Sequence, residues 1–392
     1  MQALEGIKII DFSKWLPGQY CGMVLGDFGA DVIKVEDVKG DVTRGFTPAK
    51  EPGMSYWHLM LNRNKRGITV NLKTPAGREV LLRLLKDADV FLEGFRPGYL
   101  KMLGLDYESV SKINPRLIYC SITGFGPEGK YKHMPSHDLN VIGLAGVAAP
   151  EDGTDISVPS VQVAALGGSL NAISGILMAL YARERTGKGQ LVNVDLYSSA
   201  INAEITAISS VIGCRETGMP SFGRTASHYY SVYKTKDGRY LSIGTIEPKF
   251  WQKCCRLIDL PELESRQFDF ANSAEIKEKL AAAFAGKTQA EWLELIGKDE
   301  FCVTPIRTLQ EALDSSLTTE QSQMLVTKKE DFGNYTYVKS AAKLSDTPHY
   351  PQTRALFGRA YAGSAGKRGL YQRRNCCHAR KRGDINGIKK HF

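Results

Sequence analysis

A histidine followed directly by an aspartate, His137-Asp138, closes the stretch LIYCSITGFGPEGKYKHMPSHDLN (117–140), which reads as a β-branched strand running into a glycine-punctuated loop. Imidazole exchanges protons near neutral pH, and a flanking carboxylate can orient the ring and stabilise its charged form. Such a loop delivers the pair to the end of a parallel sheet, the edge at which open α/β folds bind ligands. The functional reading is acid–base catalysis; the bland alternative is a loop histidine that caps or hydrogen-bonds locally.

The elements that must carry this pair alternate from the start. Ile7–Phe12 and Asp31–Glu36 read as strands around a glycine-containing helix, Gly18–Phe28, and Gly67–Leu72, Val90–Glu93 and Leu117–Thr123 read as further strands. Amphipathic stretches at Thr74–Lys86 and Pro97–Leu103 lie between them. This β-α alternation predicts an α/β fold with a parallel, Rossmann-like sheet. Ser160–Ala182 is apolar enough to raise the question of a membrane span. Its Gln162, Ser169, Asn171, Ser174 and Gly167-Gly168 fit a buried helix that another helix approaches closely, so no membrane is expected. Leu191–Asp195 is another strand and Ala200–Ile212 another helix. From about Arg224 the texture changes to a hairpin about Asp237-Gly238, helices at Pro248–Ile258, Ala274–Ala285 and Gln289–Ile296, and a short strand at Cys302–Ile306. The expected organisation is a large domain over 1–223, a smaller α+β domain over 224–330, a return segment over 331–353 and a tail over 354–392.

The 392 residues, 43% of them hydrophobic, can bury a sizeable core. The net charge of +9 belongs to the tail, which holds eleven Lys/Arg against the single acid Asp384, whereas residues 1–353 carry 40 basic and 41 acidic side chains. The tail lacks apolar periodicity and reads as disordered, and its abrupt change of composition also fits a shifted reading frame. With no aromatic platform or nucleic-acid fold beside it, no nucleic-acid partner is expected. Glu5 and Asp11 interrupt any leader-like apolar run, so the expected location is cytoplasmic. The eight cysteines form no CxxC and no His/Cys cluster has metal-ligand spacing, so no metal site is expected.

Five short segments, GDFGADVIKVE (26–36), NKRGITVNLKTPAG (64–77), FLEGFRPG (91–98), the TGFGPEG…SHD block and RTGKGQ (185–190), occur in this order and spacing. Together they resemble the family III CoA-transferases (CaiB/BaiF), and GTIEPKFW (244–251) resembles the α-methylacyl-CoA racemase branch. The resemblance covers about residues 1–330 and is gone beyond about Leu344. It implies a large Rossmann-like domain, a small domain and an intertwined, ring-like homodimer, with a heterodimer as an alternative. It implies a coenzyme A thioester as substrate, with no permanently bound cofactor. The phosphates of that substrate need cations and amides at strand ends; Lys34, Lys39, Arg44, Lys65, Arg66, Lys73 and Arg96 supply charge, and the resemblance singles out Lys73, Gly94, Phe95, Arg96 and, across the active-site mouth, Lys130. It makes His137, Asp138 and Glu247 the acid–base set, with Glu247 facing the pair across the cleft; a helix-initiating role is the other reading of Glu247.

The chain departs from its relatives at VQVAALGGS (161–169), where Ala164 and Ala165 stand in place of the aspartate that racemases use as second acid/base and transferases as nucleophile. Asp152 and Asp155 lie some ten residues away. Three readings follow: a racemase-like isomerase acting at the thioester α-carbon, a transferase moving CoA between carboxylic acids, and a non-catalytic acyl-CoA-binding paralogue or heterodimer subunit.

Overall fold

A computed structural model of the chain describes residues 1–148, 158–219, 227–297, 302–330 and 333–349. The tail, Asp152 and Asp155, and most of the loops 151–159 and 219–226 lie outside the described residues. The chain divides into two compact units: Met1–Ala203 with Lys329–Gly333 and the segment from Ser340, and Glu204–Lys328 with Asn334–Lys339. The division at 203/204 lies twenty residues ahead of the domain boundary read from sequence.

The first unit is built on six parallel strands, β1 (Lys8–Phe12), β2 (Asp31–Glu36), β3 (Lys65–Thr69), β4 (Val90–Glu93), β5 (Ile118–Thr123) and β6 (Leu191–Asp195). Their spatial order is β3-β2-β1-β4-β5-β6, the doubly wound arrangement of the Rossmann fold. Both faces are apolar because alternate residues enter different cores: Ile9, Val32, Leu92 and Ile118 on one side, Ile10, Ile33, Phe91 and Tyr119 on the other. The first core is covered by α1 (Trp15–Asp27), α4 (Asp138–Leu144), α5 (Val163–Thr186) and α6 (Leu196–Ala203), the second by α3 (Pro75–Lys86) and two single turns at Tyr99–Met102 and Tyr107–Val110. A two-stranded ribbon, Ala49–Glu51 with Met54–Ser55, precedes α2 (Tyr56–Asn62).

Three boundaries differ from the patterning. The third strand is Lys65–Thr69 rather than Gly67–Leu72, because pairing with Val32–Glu36 seats the Lys65 ammonium on buried Asp11 at 2.9 Å, while Val70 and Leu72 enter the core beyond the strand. The helix read as Gly18–Phe28 begins at Trp15. The helix read as Ala200–Ile212 is two helices, α6 and α7 (Ile205–Thr217), separated at Glu204. Helix α3 starts where the sequence says it must, at Pro75 with the Thr74 hydroxyl accepting the Gly77 N–H at 3.1 Å.

Among the described residues α5 is the one helix long and apolar enough to cross a membrane. It lays Ala164, Gly168, Ala172, Ile176 and Ala179 in the core of the first unit, and Arg183 near its end is buried on Asp89 at 2.9 Å. Its other face, with Leu170, Met178 and Tyr181, is exposed.

In the second unit β7 (Tyr230–Lys234), β8 (Tyr240–Gly244) and β9 (Val303–Pro305) form an antiparallel sheet, and the hairpin turns at Gly238 with φ +77°. Helices α8 (Pro248–Leu257), α9 (Ser273–Phe284) and α10 (Gln289–Ile296) bury Trp251, Phe284 and Trp292 with Leu241 and Ile243. Beyond α11 (Leu309–Asp314), strands β10 (Leu325–Glu330) and β11 (Gly333–Val338) pair with each other. The segment that follows is fastened to α1 of the first unit: the Ser340 hydroxyl donates to Asp27 at 3.1 Å and His349 lies 3.4 Å from the same carboxylate.

Candidate active site

The chain runs outward along β1, β2 and β3 and then returns to lay β4 on the opposite side of β1, so the strand order reverses between β1 and β4. Ligands of this architecture bind at the carboxyl edge beside such a reversal. The loops leaving β1, β4 and β5 meet there. A Cβ on Gly94 would lie 3.6 Å from the Ile122 carbonyl oxygen and 3.9 Å from the Lys14 nitrogen.

His137 reaches this edge through the end of β5. At Gly124 a Cβ would come within 2.1 Å of the Ser136 hydroxyl and 2.7 Å of its Cβ, so only glycine lets the returning loop close on the strand. The Gly126 N–H donates to Thr123 Oγ1 at 3.0 Å, and His137 then enters α4 as its extended N-cap residue, its carbonyl accepting the Val141 N–H at 3.2 Å. The imidazole is exposed and meets the Trp15 ring edge to face, 5.4 Å between centroids at 89°. The Asp138 carboxylate does something else: it accepts the backbone N–H of Ala165 at 2.8 Å, capping the first turn of α5. Among the described residues the imidazole makes no hydrogen bond, to Asp138 or to any other group.

On the β4 side, Phe95 packs between Phe12 (4.6 Å) and Tyr99 (5.0 Å, stacked), with the Lys14 ammonium 5.4 Å over its ring. Glu93 ends the strand beneath it, 5% exposed, accepting the Phe95 N–H at 2.8 Å and a hydrogen bond from Ser121. Burial pushes this carboxyl up to about 6, against the lowering effect of those two donors. Arg96 follows on the same loop, Lys130 on the loop after β5 and Lys73 after β3; all three are exposed. Lys14 and Trp15, neither singled out from sequence, therefore join the Phe95 loop to His137.

The pool of candidate cations contracts sharply. Lys34 and Lys65 are buried and spent on Asp11, Lys65 at 2.9 Å and Lys34 at 3.7 Å, and Lys34 also lies 3.6 Å from Asp41. Desolvation raises both carboxyls, but the lysines outweigh it, and Thr43 adds to this at Asp41, which sits at about 2. Arg44 is held by Glu36 at 2.5 Å and Arg66 by Asp31 at 2.6 Å. These four side chains neutralise internal acids, a role that follows from partners up to 54 positions away. Lys39, Lys73, Arg96 and Lys130 remain exposed. Among the described residues no group of three or more His, Cys, Asp and Glu side chains is placed to hold a metal ion.

The model of "CoA-transferase family III" matches residues 4–355. The chain belongs to CoA-transferase family III. Within the family it is 34% identical over 358 residues to alpha-methylacyl-CoA racemase of Homo sapiens, covering 89% of this chain and 88% of the relative. It is 35% identical over 328 residues to succinyl-CoA:glutarate CoA-transferase of Mus musculus, covering 81% and 74%. Among solved structures, a CAIB/BAIF family protein from Brucella suis superposes with a TM-score of 0.78 at 29% identity, covering 90% of this chain and 95% of that one. The family match extends past Leu344, where the motifs had faded, and stops at 355, where the basic tail begins.

Family membership, with racemases and CoA-transferases among the relatives, supports an enzyme, either isomerase or CoA-transferase. Ala164 and Ala165 are both buried in the first turn of α5. Glu247 belongs to the second unit, exposed at the N-cap of α8 and making no side-chain cap bond.

Proposed function

We propose that the chain acts on the α-carbon of an acyl-CoA thioester, as a racemase-like proton-transfer enzyme. The observation that carries this reading is the exposed imidazole of His137 standing at the strand reversal. A thioester carbonyl acidifies the neighbouring C–H. His137 takes that proton on a ring nitrogen, the C–H pair moves into the enolate, and the carbonyl oxygen carries the charge until the proton returns. The transferase reading requires a side-chain carboxylate to become an acyl anhydride, and Ala165 has none.

Coenzyme A lies, in this proposal, along the carboxyl edge, with Arg96, Lys73 and Lys130 offering charge to its phosphates and the loop of Gly94 and Phe95 lying beside the adenine. Four exposed positions on α5 (Leu170, Leu177, Met178 and Tyr181) and a helix α7 with no buried residue support assembly with a second copy.

Ala165 itself favours a second reading, an acyl-CoA-binding subunit without turnover. One experiment separates the readings. The (R)- and the (S)-2-methylacyl-CoA are each incubated with the protein in heavy water, because a base on one face reaches the α-proton of only one enantiomer, and deuterium uptake and stereochemistry are followed together. The racemase-like reading expects uptake that outpaces inversion, because the opposite face lacks its acid, and complete loss of uptake in His137→Ala. Ala165→Asp is expected to raise inversion relative to uptake. Saturable binding with no uptake from either enantiomer would establish the binding-subunit reading, and CoA transfer from a labelled donor to a free acid would establish the transferase.

A further inference from the structure

We infer that Trp15 is a positioning residue for His137, an inference that rests on the acid–base role proposed above for that imidazole. Trp15 has φ +62°, a left-handed conformation that a bulky aromatic residue adopts only where its surroundings impose it. The surroundings are visible. Two residues earlier, the Ser13 N–H and hydroxyl both donate to Asp11 Oδ1, at 3.0 and 2.5 Å, and the Lys34 ammonium donates to the Ser13 carbonyl. Gly18 lies so close against Ser13 that a Cβ there would fall 2.1 Å from the serine Cβ. The buried Asp11–Lys34–Lys65 network thus fixes the chain entering α1 and turns Trp15 outward.

Burial does not explain this conformation, because the side chain is 38% exposed. What it delivers is a contact: the indole stands edge to face with His137 at 5.4 Å and is backed by Phe46 at 6.0 Å, itself against Trp57 at 5.2 Å. In triad-like sites a carboxylate sets the orientation of the imidazole. Here the Asp138 carboxylate caps α5, and the ring contact of His137 is with Trp15. An edge-to-face pair of this kind favours one ring orientation by roughly twofold to tenfold. Displacement of a reacting group by about 1 Å costs up to about a hundredfold in rate. The aromatic contact therefore takes over the orienting task that the sequence motif suggests for the aspartate.

The test uses the full chain with isotope-labelled histidine, in the variants Trp15→Phe, Trp15→Ala and Trp15→Gly. The His137 ring resonances, assigned by their loss in His137→Ala, report the contact directly through the indole ring current, and kcat and KM for α-deuterium uptake report its use. Phe is expected to keep most of kcat. Ala and Gly are expected to move the His137 resonances and to lower kcat about tenfold to a hundredfold with KM within about threefold. Gly suits the +62° backbone, so its loss of rate comes without a fall in Tm, which separates positioning from a merely structural role. The inference is overturned if Ala and Gly leave the resonances and kcat at their parent values, or if kcat falls only in step with Tm across all three variants. Should the parent chain show no deuterium uptake, the acid–base reading of the site fails, and the His137 resonances alone then decide whether Trp15 holds the ring.

Discussion

Glu93 shows how much chemistry a single buried side chain can carry at this edge. Its carboxyl sits under the Phe95 loop, accepts the Phe95 N–H, and is raised by burial to about 6 from an ordinary value of 4.5. A folded-state value above the unfolded one means that the native state binds the proton more tightly. Its stabilising contribution is present below pH 4.5 and is lost as pH rises toward 6, by about 2 kcal/mol at about 1.36 kcal/mol per unit. Asp11, Asp27, Glu36 and Asp41 are depressed by their cations despite burial, so they act with the opposite sign, and their contribution is lost as pH falls below about 4. Urea denaturation of Glu93→Gln beside the parent at about pH 4.5, 5.5 and 6.5 should show the gap between the two shifting in favour of the variant by up to about 2 kcal/mol over that range. Parallel curves would mean that Glu93 titrates in the folded chain as it does unfolded. Little of this was legible beforehand: FLEGFRPG marked the loop, but the side chain that stays uncompensated depends on which acids acquire cations, and that is settled by strand pairing.

The same logic governs whole elements. Val90–Glu93 was readable to the residue because its apolar run is bounded by polar positions and is buried on both faces, and Leu191–Asp195, a more exposed edge strand, was readable from its Leu/Val positions alternating with polar ones. Lys65–Thr69 was not, because the alternation of Ile68, Val70 and Leu72 with polar residues overshoots the strand and the deciding contact, Lys65 on Asp11, spans 54 positions. The break at Glu204 carries no Pro or Gly to announce it. His137-Asp138 was legible as a dyad at the end of β5, but the helix that claims the Asp138 carboxylate is 27 positions away. Gly124 is where the β5 loop can be tested as an element. Alanine there meets Ser136, a small side chain on a surface loop, rather than packed core. Gly124→Ala should therefore displace the loop carrying His137, lowering α-deuterium uptake about tenfold or more while costing less than about 1.5 kcal/mol in stability. Equal loss of uptake and of folded protein would show instead that the Gly124 contact is a keystone of the first unit.

At the scale of the whole molecule the unexplained quantity is apolar surface. Helix α5 presents Leu170 at 50%, Met178 at 65% and Tyr181 at 63% exposure, on the face opposite its core residues, and α7 buries none of its thirteen. A helix stabilised by neither a core nor a charged, solvated face needs a cover. The basic tail does not supply an apolar one, since its eleven Lys/Arg stand among few large aliphatic side chains. The second copy proposed above would supply one, because a two-fold interface matches a patch with itself. Light scattering on the eluted full chain should then give twice the 43.3 kDa of one copy. Met178→Glu with Tyr181→Glu should shift it toward one copy, since placing like charges across a self-matched interface costs several kcal/mol. These two residues lie away from the carboxyl edge in the sequence of α5, whose first turn meets Asp138. A double variant that elutes unchanged, at concentrations where the parent is at twice its mass, would place the interface on some other surface and leave the exposed face of α5 without a role in assembly.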